Sequence, residues 1–157
     1  MSKLSIYITV PDYLDQWLRH EYWNPETARV EFPRGSAPRA ILQSCLTKRP
    51  AGAVSPLRAN TDIPIEVPTF KGINPRVYCW LPDRGRKALV SCLKKTFSSV
   101  VWTELRPILT HDVQITDVVY AFLDRHGIEP TPQNWETVRQ MYYRMRKKTS
   151  GDIVKEC

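Results

Sequence analysis

The densest chemistry in this chain lies between residues 134 and 150. Arg139, Arg144, Arg146, Lys147 and Lys148 stand there against one acid, Glu136, with Gln140 and Tyr143 among them. On a helical wheel of about 100° per residue, Trp135, Val138, Met141, Tyr142 and Met145 fall in one arc. Arg139, Tyr143 and Lys147, each four residues from the next, fall on the other side. Arg146 sits at the boundary, and Gln140 and Arg144 extend the polar face. Arginine can pair bidentately with guanine, glutamine with adenine, and lysine neutralises phosphate. A helix of this length fits a major groove. The pattern therefore predicts a nucleic-acid-binding helix whose partner is double-stranded DNA.

A second basic group is Arg84-Gly85-Arg86-Lys87, at the start of another helical pattern. Cations there oppose the helix dipole, a placement that makes sense beside a bound phosphate. Arg84, Arg86 and Lys87 are thus candidate phosphate contacts. The wider charge distribution agrees. Residues 71–95 carry Lys71, Arg76, Arg84, Arg86, Lys87, Lys94 and Lys95 against Asp83 alone, whereas residues 96–133 carry five acids and two bases. The net charge of +7 is concentrated in two segments, as a phosphate-contacting surface requires.

Other chemistry is poorly represented. The six glycines form no phosphate-cradling or dinucleotide loop, and no nucleophile elbow occurs. His20, His111 and His126 have no partner at helical spacing, and His126 is expected to interact with a helix end. Asp112, Asp117 and Asp124 could in principle hold magnesium, but dipole and surface roles account for them. Cys45, Cys79, Cys92 and Cys157 lack metal-ligand or redox spacing. They read as free thiols, the first three as small core residues. The expectation is a protein without enzymatic activity, metal or cofactor. Most tryptophans occupy apolar stripes; Trp23 and Trp80, beside turns, are the ones expected to be exposed.

The elements that position these residues follow from periodicity. Leu4, Ile6, Ile8 and Val10 alternate as a strand. A helix runs from a capping Asp12 through Tyr22, with Leu14, Trp17, Leu18 and Tyr22 as its stripe. Val30 and Phe32 form a short extended segment, and Ser36 with Pro38 opens a second helix. Residues 50–82 are proline-rich and read as a linker or extended arm, in which Ile63, Ile65 and Val67 make an edge strand. From Asp83 the period is helical: one helix limited by Pro107, a second from about Gln114 to a glycine cap at Gly127, and a third opened by Thr131-Pro132. The fold class expected is α+β. A mixed half with short strands and two helices (1–49) is followed by the arm (50–82), a trihelical nucleic-acid-binding module (83–148) and a frayed tail (149–157).

The second and third of these helices, joined around Gly127, resemble a generic helix-turn-helix unit of the kind found in DNA-binding proteins of bacterial phages and mobile elements. Their connection, Gly127 to Thr131, exceeds the about three to four residues of the tight form. The resemblance implies a regulator or accessory factor acting on DNA. The alternative is a non-enzymatic assembly or adaptor protein of a phage or mobile-element complex. Residues 1–50 balance seven bases against five acids, which points to a homo-oligomer or protein contact through that half. No apolar run is long enough for a membrane span and no signal-peptide core is present, so a cytoplasmic protein is expected.

Overall fold

The structure is a computed structural model that describes residues 4–52, 62–69, 72, 74–111 and 113–155, with side chains to residue 149. It is an α+β fold of five helices and a four-stranded mixed sheet among the described residues. The opening period of two folds as strand β1 (Ser5–Ile8), with Ile6 and Ile8 buried on one face. Pro11 precedes helix α1 (Asp12–Tyr22), so Asp12 is its first residue and not its cap. Asp12 and Asp15 both lie in the first turn, where carboxylates meet the positive helix end.

Strands β2 (Trp23–Asn24) and β3 (Arg29–Val30) form a small antiparallel hairpin. Ala28 closes its turn at a φ of 54°, and its N–H donates to the Asn24 carbonyl at 2.8 Å. Helix α2 (Ala37–Cys45) begins as expected: Ser36 Oγ accepts from the Arg39 N–H, with Pro38 in the first turn.

Strand β4 (Ile63–Glu66) departs from the sequence expectation. It is no edge or arm but an inner strand, in the order β1-β4-β3-β2. It pairs antiparallel with β1 over four residues and parallel with β3 through Val30 and Ile65 alone. The Val67 N–H donates to the Leu4 carbonyl. Backbone groups alternate along a strand, so residues 63, 65 and 67 turn theirs toward β1. The missing donor of Pro64 falls on the β3 flank, where pairing is minimal. An inner strand tolerates proline there.

Helix α3 (Asp83–Leu109) carries Leu89, Leu93, Phe97, Val101 and Leu105 at intervals of four, all fully buried. Fully burying each such side chain contributes about 1.5–3 kcal/mol. The helix runs two residues past Pro107; the bond lost there is the one that a residue-107 N–H would have made to the Thr103 carbonyl. Helix α4 (Ile115–Arg125) ends in a Schellman motif. The Ile128 N–H donates to Leu123 at 2.9 Å, that of Gly127 to Asp124 at 3.3 Å, and Gly127 has a φ of 68°. Thr131 caps helix α5 (Pro132–Lys155), its Oγ1 accepting from the Asn134 N–H at 3.1 Å. The tail expected at 149–157 is helical as far as Lys155, since no proline interrupts the run.

The chain divides into two compact units, Met1–Pro11 with Leu18–Leu93 and Asp12–Trp17 with Lys94–Cys157. This division runs across the expected segments 1–49, 50–82 and 83–148: α1 and α3 each give residues to both units. In the second unit Phe97 meets Tyr13, Trp17 and Phe122, with ring centroids at 5.0, 5.3 and 5.9 Å. No helix among the described residues is long and apolar enough to cross a membrane.

Candidate nucleic-acid interface

The interface is built on α5, in the second unit. Val138 and Tyr142 are buried and fix the helix against its neighbours, while Asn134, also buried, donates from Nδ2 to the Glu129 carbonyl at 2.9 Å. Outside that buried stripe the helix exposes Gln140, Tyr143, Arg144, Arg146, Lys147 and Lys148.

Trp135 and Arg139 differ from the sequence reading. Trp135 is half-buried instead of sitting in the core; its Nε1–H donates to the Thr116 carbonyl at 3.4 Å. The Tyr120 ring of α4 lies against it, centroids 6.2 Å apart. The Arg139 guanidinium stands over two rings, 5.8 Å from the centroid of Trp135 and 5.3 Å from that of Tyr143. Arg139, Tyr143 and Lys147 therefore do not face away from Trp135. Steps of four keep neighbours adjacent on a helix, and Trp135 is the first member of the same ridge. Tyr143 in turn rests on the buried Tyr142, at 5.6 Å, which packs on Trp102. Glu136, the acid of this stretch, is engaged locally: Arg139 Nε lies 3.6 Å from its carboxylate and Gln140 Nε2 donates to it at 3.2 Å.

The group at residues 84–87 belongs to the first unit and divides in two. Arg84 and Lys87 are exposed at the start of α3. Arg86 is a structural strap instead of a free phosphate contact: its Nε donates to the Leu81 carbonyl at 3.2 Å, and its Nη1 to the Tyr7 carbonyl on β1. Gly85 is buried where α3 meets the end of α2; a Cβ there would lie 2.7 Å from Leu81 Cδ1 and 2.8 Å from Cys45 Cβ.

His126 also differs from expectation. It is buried, and its Nε2 lies 2.9 Å from both carboxylate oxygens of Glu104 on α3. Arg125 donates to the same carboxylate at 2.7 Å through Nη2. Burial pushes the Glu104 carboxyl upward, but the hydrogen bonds and charges of His126 and Arg125 outweigh that and hold it below its ordinary range. Cys45, Cys79 and Cys92 are half-exposed rather than core residues, and Trp23 and Trp80 are half-buried, lying under Arg19 and Arg49. Asp117 and Asp124 are exposed; Asp112 and Cys157 lie outside the described residues. Among the described residues no three potential metal ligands cluster.

Set against models of known protein families, curated proteins and solved structures, the chain matches none.

Proposed function

We propose that the chain binds nucleic acid through the exposed basic face of α5 and acts as a regulator or accessory factor, without chemistry of its own. One observation carries this reading: Arg144, Lys147 and Lys148 are exposed on one side of the helix, within about 100° of arc, while the acid of residues 134–150, Glu136, is held by Arg139 and Gln140. Concentrated, solvated positive charge draws a polyanion and releases its counterions. The arrangement of α4, a capped turn and α5 makes double-stranded DNA the first ligand to try.

The test is the salt dependence of affinity. Binding is expected to weaken steeply between about 50 and 200 mM salt. Joint replacement of Arg144 and Lys147 by alanine should lower the log–log salt slope by about two, one for each phosphate that is no longer neutralised. An affinity indifferent to salt would defeat the proposal. It would favour the second reading, an assembly or adaptor protein. A specific feature supports that alternative: exposed Ile108 and Val113 border an apolar groove with Val118 and Ala121 between the end of α3 and α4.

A further inference from the structure

We infer that the nucleic acid taken by this face has unpaired bases, which stack on the row of rings formed by Tyr120, Trp135 and Tyr143. The inference rests on the proposed function of α5 and narrows its ligand.

Reading a duplex through base edges needs donors free to turn into a groove. Arg139 and Gln140, the adjacent pair with the geometry for guanine and adenine, are both engaged with Glu136, and Arg139 is also stacked on two rings. Arg144 and Arg146 are exposed but lie two residues apart, about 200° around the helix. One groove cannot take both. The side chains suited to reading a sequence are therefore held or dispersed.

Aromatic surface beside cations is what this face presents together. Tyr120 and Tyr143 are 42% and 40% exposed, so both rings stand open to solvent. Between them lie the half-exposed Trp135 ring and the Arg139 guanidinium, at centroid distances of 6.2, 5.8 and 5.3 Å along the row. The row is held in place: Trp135 by its bond to Thr116, Tyr143 by Tyr142 behind it, and Arg139 by Glu136. A surface already ordered loses little entropy when a ligand arrives. Lys147 continues the ridge one turn beyond Tyr143 and is exposed, as is its neighbour Lys148. Rings for bases with ammonium groups alongside for phosphates are the parts from which single strands are bound without sequence preference. A paired base offers no free face to such a row.

The experiment measures the affinity of the full chain for three labelled probes of equal length: an oligodeoxythymidylate, an oligouridylate and a DNA duplex. Single strands are expected to bind more tightly than the duplex. The deoxy and ribo probes separate DNA from RNA as the source of the unpaired bases. Tyr143→Ala should weaken single-strand binding about tenfold or more and leave duplex binding unchanged, while Tyr143→Phe keeps the stacking face and the affinity. An exposed ring can be removed without unfolding the chain, which circular dichroism verifies. Joint replacement of Arg144 and Lys148 by alanine should weaken every probe. A preference for the duplex overturns the stacking inference and leaves the basic-face reading in place. So does a chain in which Tyr143→Ala has no effect although the charge variant does. Failure to bind any of the three probes overturns both.

Discussion

Glu104, His126 and Arg125 show how much a single residue can carry that its sequence neighbourhood does not reveal. Position 104 is on α3 and position 126 caps α4, so no local spacing joins them, and the sequence alone points His126 toward a helix end. The structure instead gives Glu104, 31% exposed, a buried imidazole and a guanidinium as donors. Hydrogen bonds to a charged group are worth about 1.5–3 kcal/mol when the partners are not left buried alone. Glu104→Gln is expected to destabilise the chain by about 1–3 kcal/mol at neutral pH, measured by urea unfolding. The sign of its pH dependence follows from the lowered carboxyl. The contribution is fully present above the ordinary value of 4.5 and is lost as pH falls below it through the folded value. The gap between the native chain and the variant should therefore narrow in acid; a gap that stayed constant from neutral pH into acid would disprove the ion cluster. Trp135 is the opposite case. Its step of four to Arg139 is legible in the sequence, but sorting residues into apolar and polar arcs separates two neighbours that are stacked.

Elements are legible in proportion to their length and period. The row Leu89, Leu93, Phe97, Val101 and Leu105 is readable from spacing alone, as is the sequence of α4, glycine cap, Thr131 and α5. The two-residue strands of the hairpin have no period to read. The sequence puts β4 at an edge because a proline usually excludes an inner strand; only the register, which depends on partners far along the chain, shows that Pro64 turns its missing donor to a flank with one bridging pair. Two glycines test these elements separately. Gly127 sits at a φ of 68°, where a side chain costs about 1–2 kcal/mol. Gly127→Ala should lower stability by that amount in thermal or denaturant unfolding. Gly85 has ordinary helical backbone but no room: its Cβ would press within 2.8 Å on Leu81 and Cys45. Gly85→Ala should cost about 1–3 kcal/mol through overpacking, and Cys45→Gly in the same chain should recover part of it. Equal effects of the Cys45 change in both backgrounds would show that the two residues do not meet.

At the scale of the whole molecule, the sequence suggests a trihelical C-terminal module from residue 83, and the two compact units do not follow that boundary. The second unit takes residues 12–17 from the start of the chain as well as 94–157. Tyr13 and Trp17 supply two of the rings that surround Phe97, and Trp17 is 2% exposed. A helical period cannot disclose this, because residues 13 and 97 meet only through the completed fold. Closing so long a loop adds little to the entropic cost of folding, so distance along the chain is no obstacle to one shared core. The first unit has a related dependence, since β1 pairs along β4 and receives the Arg86 strap. A fragment beginning at residue 83 would leave Phe97 without Tyr13 and Trp17, a loss on the scale of a large-to-small core substitution. Removing Trp17 alone, as Trp17→Ala, should cost about 3–5 kcal/mol, a large share of the roughly 5–15 kcal/mol that holds a typical domain. The fragment is therefore expected to keep helical circular dichroism but to lose the cooperative unfolding transition of the full chain, and adding a peptide of residues 1–22 should restore part of it. A fragment with a sharp transition of its own would show that α3, α4 and α5 are self-sufficient and that the N-terminal helix only covers them.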